Sequence, residues 1–271
     1  MYNDYFRFRE DPFNITPDPR FLYLTAQHRE ALQHLVYGIR ERKGFICLTG
    51  EVGTGKTTLC RTLLRQLGRD ARTALILNPM LPRAQLLRAI IDEFGIYTRQ
   101  QDLLGHLDTL NRWLLHVNST GGDAVLIIDE AQDMSVDSLE MVRLLSNLET
   151  ERQKLLQIVL VGQPELRHML ARPALRQLAQ RITVRYHLDP MDRRETEAYL
   201  SHRLRVAGRE DGPLVRFDAG AIREIYRYSG GTPRLINAIG DKALLAGYVY
   251  RTSRIDRRLA RLAASELKGA R

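Results

Sequence analysis

The chain has 271 residues, of which 44% are hydrophobic and 27% charged, a composition typical of a soluble globular protein with a sizeable core. No apolar run approaches the length that crosses a bilayer, and the polar and aromatic start does not resemble a signal peptide, so we expect a cytoplasmic protein. Two cysteines, Cys47 and Cys60, do not support a disulfide framework or a metal site and are interpreted as small buried hydrophobic residues.

The net charge of +9 is concentrated in the C-terminal part of the chain. Residues 1–171 carry a formal charge of −1, whereas residues 172–271 carry +10. This excess favours an acidic partner there, which could be nucleic acid, an anionic lipid surface or an acidic face of another subunit. A solvated helical surface rich in arginine is the alternative interpretation.

The first element in chain order is an extended segment. Residues 10–24 contain three prolines, which forbid a regular helix or a central strand. Its large apolar groups, Phe13, Ile15 and Tyr23, either fasten the N-terminus to the core or, as in many P-loop ATPases, form a wall over an adenine base. The second role depends on the phosphate-binding motif that follows.

That motif occupies residues 50–57, which satisfy the pattern G-x-x-x-x-G-K-[ST] between an apolar run of strand length and leucines at helical spacing. The context predicts a loop whose glycines adopt unusual backbone angles, so that successive N–H groups surround phosphate oxygens. Lys56 is predicted to reach the β- and γ-phosphates of ATP, and Thr57 to bind Mg²⁺ through its hydroxyl. The residues predicted to contact the nucleotide are consecutive: Gly50, Glu51, Val52, Gly53, Thr54, Gly55, Lys56, Thr57 and Thr58.

Two acids, Asp129 and Glu130, end a later apolar strand that begins at residue 124. With a phosphate-binding loop upstream, this is the Walker B arrangement. Asp129 is predicted to hold Mg²⁺ through its water shell. Glu130 is predicted to orient and deprotonate the attacking water.

Polar residues at two other strand ends are candidates for the same site. Gln163 follows the strand 155–161, where additional-strand ATPases carry a polar sensor near the γ-phosphate. Asn78 follows the strand 73–77 and could restrain Glu130 by hydrogen bonding until a partner binds.

An arginine precedes the last predicted strand, residues 182–187. Ring-forming ATPases place there the arginine finger that enters the neighbouring subunit's site and stabilises charge on the transferring phosphoryl group. Arg181 is the first candidate and Arg176 the second, although an exposed surface charge explains either residue as well.

Strands and helices alternate from residue 45 to residue 187, which predicts a five-stranded parallel sheet sandwiched by helices. The later segments are helical, so we expect a nucleotide-binding α/β domain over residues 1–190 and a small all-helical lid domain over residues 191–271. Pro233 stands at the first position of the third lid helix. Arg234 then lies in its first turn, where it could reach the phosphates and report the nucleotide state.

The chain resembles the cytoplasmic ATPase region of the ExeA/GspA family, AAA+ ATPases associated with type II secretion. Blocks beyond the generic phosphate-binding motif support this resemblance, and two of them, Ser-Asn-Leu-Glu-Thr and Gly-Gln-Pro-Glu-Leu, are more specific than the Walker motifs. The matching blocks begin at Asp11, Pro17, Gly50, Ile128, Leu144, Val161 and Gly230.

The resemblance implies a P-loop AAA+ fold and an Mg²⁺-dependent ATPase that couples hydrolysis to assembly of the outer-membrane secretin. It also implies an ATP-dependent oligomer, with Arg181 acting in trans, and an inner-membrane partner of the ExeB/GspB kind. ExeA-type proteins continue into a transmembrane helix and a peptidoglycan-binding domain, neither of which this sequence contains. Relatives with similar ATPase regions serve pilus biogenesis, exopolysaccharide export and transposition, so a pilus or exopolysaccharide ATPase is one alternative. The +10 charge of the C-terminal part and the helical lid favour another, a DNA-binding regulatory AAA+ ATPase of the transposition or initiator type.

Overall fold

The computed structural model describes residues 2–14, 18–68, 71–210 and 214–268. Ile15 therefore lies outside the described residues. The helices and strands follow in chain order: α1 (Tyr2–Phe6), α2 (Ala26–Arg40), β1 (Phe45–Gly50), α3 (Lys56–Leu67), β2 (Ala71–Ile76), α4 (Arg83–Glu93), α5 (Leu103–Ser119), β3 (Asp123–Ile128), α6 (Val136–Leu145), β4 (Leu156–Gly162), α7 (Pro164–Leu170), α8 (Arg176–Arg181), β5 (Ile182–Leu188), α9 (Arg193–Ala207), β6 (Arg216–Phe217), α10 (Ala219–Ser229), α11 (Pro233–Val249), β7 (Arg254–Ile255) and α12 (Arg257–Lys268). Short 3-10 turns stand at Pro19–Phe21, Ala131–Asp133 and Pro173–Leu175.

The chain divides into two compact units. One, the sheet unit, comprises Ala26–Glu51 and Lys56–Leu188. The other, the helical unit, comprises the segment up to Thr25, the loop tip Val52–Gly55 and the segment from Asp189 onward.

The sheet unit contains five parallel strands in the order β2-β3-β4-β1-β5. Strands β1 and β4 are buried along their whole length, as expected where helices cover both faces of a parallel sheet. Phe45 of β1 lies opposite Ile158 of β4 and Ile182 of β5. The predicted α/β fold is confirmed.

This strand order positions the candidate site. Strands β3, β4 and β1 are neighbours and run in the same direction, so the segments that follow their carboxyl ends meet at one edge of the sheet. The phosphate-binding motif follows β1, the two acids follow β3 and Gln163 follows β4.

The helical unit has its own core, formed by α1, α9, α10, α11 and α12 together with the aromatic side chains of the N-terminal segment. Phe6 and Phe8 are almost fully buried in it. The guanidinium of Arg203, on α9, donates hydrogen bonds to the carbonyl oxygens of Pro12 (2.5 Å) and Asn14 (2.7 Å). The aromatic residues and these bonds explain why the N-terminal segment groups with the helical unit and not, as predicted, with the nucleotide-binding domain.

The helical unit also contains a short parallel pair that the sequence did not indicate. Arg216 and Phe217 of β6 lie opposite Arg254 and Ile255 of β7. Strand β7 interrupts the helical pattern expected over residues 191–271, and α12 begins after it at Arg257. Within the described residues, we find no helix with the length and apolar character of a membrane span.

Candidate nucleotide-binding site

Two of the three glycines of the phosphate-binding motif have the unusual backbone angles that the sequence predicts, whereas Gly50 ends strand β1. Gly53 and Gly55 have φ angles of 80° and 98°, in the left-handed region that favours glycine. Helix α3 begins at Lys56, immediately after the loop. The loop therefore leads into a helix N-terminus, where backbone N–H groups and the helix dipole favour an anion.

Lys56 is buried at the base of the loop and only 6% exposed. Its Nζ donates hydrogen bonds to the carbonyl oxygens of Gly50 (2.8 Å) and Glu51 (3.0 Å). Burial lowers the pKa of Lys56, and the negative charges of Glu130 and Asp129 oppose that shift. A cation held by neutral carbonyls can exchange these oxygens for phosphate oxygens.

Thr57 and Asp129 form a set of oxygen ligands suited to Mg²⁺. The Thr57 hydroxyl donates a hydrogen bond to Oδ2 of Asp129 over 2.6 Å, and Asp129 is only 2% exposed. Hydroxyl and carboxylate oxygens next to a phosphate-binding loop are the protein ligands that Mg²⁺ uses together with phosphates. The residues present fit the ion that the sequence predicts.

Glu130 has a φ angle of 50°, which is uncommon for a residue other than glycine and is found mostly where surrounding structure holds the backbone. Its Oε2 accepts hydrogen bonds from Nε2 of Gln132 (2.8 Å) and Nε2 of Gln163 (3.1 Å). Burial raises the pKa of Glu130, but the two amide donors and the charge of Lys56 outweigh burial and leave the pKa below its usual range. Glu130 is thus an ionised carboxylate at neutral pH.

The structure brings Gln163 to Glu130, as expected from neighbouring strand ends, while its part in sensing phosphate stays a prediction. Asn78 is placed differently from the prediction: it is exposed, and its side-chain oxygen accepts a hydrogen bond from the N–H of Met80 over 3.3 Å. Among the described residues, the side-chain donors to Glu130 are the two glutamines, so the predicted restraint by Asn78 is not part of this arrangement.

Gln132 is a site residue that the sequence analysis did not identify. Its place at the end of the block that begins at Ile128 could have indicated it. The 3-10 turn Ala131–Asp133 directs its side chain back toward Glu130 and across to β4. Its burial is intermediate.

Arg181 ends α8 and lies against the residues that follow α6. Its Nη1 donates to Oγ of Ser146 (2.6 Å), Oδ1 of Asn147 (2.6 Å) and the carbonyl oxygen of Arg143 (3.2 Å). Ser146 and Asn147 belong to the Ser-Asn-Leu-Glu-Thr block, so two residues of this block hold the Arg181 side chain. The second candidate, Arg176, is exposed.

Two residues predicted to contact the nucleotide, Phe13 and Arg234, belong to the helical unit. A Cβ on Gly53 would lie 2.7 Å from Cβ of Arg234, so the loop tip and the first turn of α11 are in close contact within this unit. Phe13 is 4% exposed and packs its ring on Gly240 and Phe217. The ring fastens the N-terminal segment, and contact with adenine stays a prediction for Phe13, as contact with phosphate does for Arg234.

Comparison with known sequences identifies two matches. The family described as AAA domain matches residues 39–170. General secretion pathway protein A of Aeromonas hydrophila is 47% identical over 272 residues, which cover 100% of this chain and 49% of the relative. The chain therefore spans about half the length of this curated relative.

Three solved structures illustrate the fold. The ORC2 protein of Aeropyrum pernix, in ADPNP–ADP complexes, matches with a TM-score of 0.69 at 19% identity and covers 96% of this chain and 72% of that chain. Cdc6p from Pyrobaculum aerophilum has a TM-score of 0.66 at 20% identity, covering 92% and 69%. The RuvB Holliday junction branch migration motor of Thermotoga maritima has a TM-score of 0.56 at 20% identity, covering 88% and 69%. At these identities the likeness concerns the fold alone, which is that of P-loop AAA+ proteins.

Proposed function

The chain belongs to the ExeA/GspA family of AAA+ ATPases, and from this premise we propose that it binds and hydrolyses ATP with Mg²⁺ to drive the assembly of an envelope secretion complex. The observation that carries the chemistry is the convergence of three strand ends. Thr57 after β1 bonds Asp129 after β3 over 2.6 Å, and Gln163 after β4 bonds Glu130 over 3.1 Å. This arrangement supports the proposal of a metal site next to an ionised base.

Each candidate site residue of the sheet unit then has one role in the reaction. Lys56 moves its ammonium group from loop carbonyls to the β- and γ-phosphate oxygens. Thr57 and Asp129 would hold Mg²⁺, which would supply charge neutralisation on those oxygens. Glu130 accepts the proton of the attacking water at the oxygen that the glutamines leave open, and Gln163 donates its amide to the same carboxylate.

The assembly role is carried over from the family. We propose that the protein forms an ATP-dependent oligomer in which Arg181 reaches the neighbouring site, and that an inner-membrane protein of the ExeB/GspB kind couples the ATPase to the secretin. Because the ATP that it would use is cytoplasmic, we propose that the protein acts in the cytoplasm, at the inner membrane through its partner. The 47% identity to a protein named for general secretion supports this role over the pilus, polysaccharide and transposition alternatives.

The chemistry is tested by nucleotide affinity and ATP turnover in three proteins. Wild type is expected to bind and hydrolyse ATP only with Mg²⁺, Lys56→Ala to lose binding, and Glu130→Gln to bind ATP without turnover. Equal turnover by wild type and Glu130→Gln would remove Glu130 as the base. Hydrolysis that rises with duplex DNA, and DNA affinity that falls steeply with salt, would favour the DNA-binding alternative.

The oligomer is tested by mixing two inactive variants. Arg181→Ala retains an intact loop, and Lys56→Ala retains Arg181, so a mixture is expected to recover turnover that neither variant has alone. A mixture as inactive as its parts, while wild-type turnover per molecule is independent of protein concentration, would argue for a monomeric switch.

A further inference from the structure

Gln132 joins the ends of β3 and β4 through one side chain. Its Nε2 donates to Oε2 of Glu130 over 2.8 Å, and its Oε1 accepts the backbone N–H of Gln163 over 2.9 Å. Gln163 completes the triangle by donating its own Nε2 to the same Glu130 oxygen over 3.1 Å. Both functional ends of the Gln132 amide are therefore engaged.

The last residue of β4 leaves room for this side chain. A Cβ on Gly162 would lie 2.8 Å from Oε1 of Gln132, closer than side-chain atoms are normally found. Glycine at this strand end keeps the amide in place. The left-handed backbone of Glu130, with φ of 50°, is the kind of conformation that needs such outside support.

The arrangement distinguishes the two oxygens of the Glu130 carboxylate. Both glutamine amides donate to Oε2, whereas Oε1 receives no hydrogen bond from the residues that the structure describes. A carboxylate fixed by one oxygen presents the other in a defined direction, which is what proton abstraction from an attacking water needs.

We propose that Gln132 is a positioning residue for ATP hydrolysis, which fixes Glu130 by Oε2, aims Oε1 at the water and couples this geometry to the tip of β4 through Gln163. The inference rests on the proposed function, because it assigns Gln132 a role in that reaction. Because Glu130 and Gln163 engage both ends of the Gln132 amide, we expect its effect on turnover and not on nucleotide binding.

The test compares Gln132→Ala and Gln132→Glu with wild type and with Gln85→Ala, an exposed glutamine on α4 as control. Removal of the brace is expected to lower kcat by roughly 10- to 100-fold, the order expected for misplacement of a catalytic group by about 1 Å. KM and the Kd for a non-hydrolysable ATP analogue should stay near wild type, and Gln85→Ala should be unchanged throughout.

A conservative variant separates positioning from mere packing. Gln132→Met keeps the length and much of the volume of the side chain but removes both hydrogen bonds, so its kcat should fall as far as that of Gln132→Ala. Gln132→Glu keeps the acceptor for the Gln163 N–H but replaces the donor to Glu130 with a carboxylate, so its kcat should fall at least as far.

The outcomes separate this inference from the proposed function. An active wild type with normal kcat in Gln132→Ala would overturn the inference alone, as would a rise in kcat, which would make Gln132 a restraint. Loss of kcat in Gln132→Ala with wild-type kcat in Gln132→Met would also overturn it, because the side chain would then act by packing alone. If wild type binds but never hydrolyses ATP, the proposed function fails together with the role of Gln132 in turnover.

Discussion

Each unit of the molecule buries charged side chains, and one from each unit, Lys56 and Glu224, show two opposite ways of compensating a buried charge. In the sheet unit, Lys56 is 6% exposed and donates to the main-chain carbonyls of Gly50 and Glu51. In the helical unit, the Glu224 side chain is 2% exposed and is paired with three arginines. Their guanidiniums approach it to 2.6 Å for Arg227, 2.8 Å for Arg257 and 3.3 Å for Arg261.

The difference separates a binding group from a structural one. Neutral carbonyls compensate a buried ammonium only in part, so Lys56 gains when a phosphate anion arrives. Glu224 is already saturated with charged donors and has nothing to gain from a ligand. Substitutions in the candidate site around Lys56 should change catalysis. Substitutions of Glu224 and its arginines should change the free energy of unfolding.

The largest expected effect is at Asp129. Asp129→Ala removes a metal ligand, the partner of the Thr57 hydroxyl and the acceptor of the Glu130 N–H, which lies 2.9 Å from Oδ1. We expect kcat to fall about 1,000-fold, or roughly 4 kcal/mol at the barrier, measured by steady-state ATP turnover.

Asp133→Ala is the matched control for this substitution. Asp133 is an exposed acid on the 3-10 turn that follows Glu130. Its removal tests whether loss of a negative charge near β3 is by itself enough to lower turnover. Turnover like wild type is expected. An equal loss in both variants would contradict a specific role of Asp129.

The second-largest expected effect is at Glu224, where a substitution should change stability and not catalysis. Glu224→Gln leaves three guanidiniums facing a neutral amide and should lower the free energy of unfolding by roughly 2–3 kcal/mol, the range for a buried hydrogen bond to a charged group. Chemical denaturation measures the loss. The kcat of the folded fraction should be retained, and a large fall in kcat would contradict the division of roles.

The stability difference should also depend on pH. Burial raises the pKa of Glu224, but the arginines outweigh burial and hold it below its ordinary value of 4.5. A carboxyl whose pKa is lower in the folded protein stabilises it above its unfolded pKa and loses that contribution as pH falls through the folded pKa. Wild type and Glu224→Gln should therefore differ most near neutral pH and converge below about pH 4.5, since protonation makes Glu224 neutral as well.

The same contrast explains which features the sequence predicts. Asp129 and Gln163 follow the ends of β3 and β4, where the sequence puts them, because parallel strands direct their carboxyl ends to one edge of a sheet; their roles stay predictions. Gln132 was missed because a single 3-10 turn has no hydrophobic period that reveals where its side chains point. Glu224 was missed because helical spacing cannot identify partners on another helix.

Two further gaps have the same physical origin. The pair of two-residue strands β6 and β7 is too short for any alternation to appear in the sequence. The grouping of the N-terminal segment depends on long-range contacts, such as the Arg203 bond to the Pro12 carbonyl, which joins residues 191 positions apart.

Removal of the buried charge at Lys56 is expected to stabilise the protein, in contrast to the loss expected for Glu224→Gln. Lys56→Met replaces a buried ammonium with an apolar side chain of similar length, so it should raise the free energy of unfolding by about 1 kcal/mol while nucleotide binding is lost. Denaturation without nucleotide measures the gain. A loss of stability comparable to that of Glu224→Gln would show that Lys56 is itself a structural charge, and the comparison between the units would fail.

The smallest expected effect is at the rim of the Glu224 cluster. The Arg227 side chain is 56% exposed, and Arg257 and Arg261 still face the carboxylate when Arg227 is removed. Arg227→Ala should therefore cost no more than about 0.5 kcal/mol, as is usual for an ion pair with one exposed partner. The double variant of Arg227→Ala with Arg257→Ala should cost more than the sum of the single variants, because Glu224 then keeps only its most distant arginine. A double-mutant cycle by chemical denaturation measures this coupling, and strict additivity would mean that the three arginines act as separate surface charges and not as one saturated shell around the buried acid.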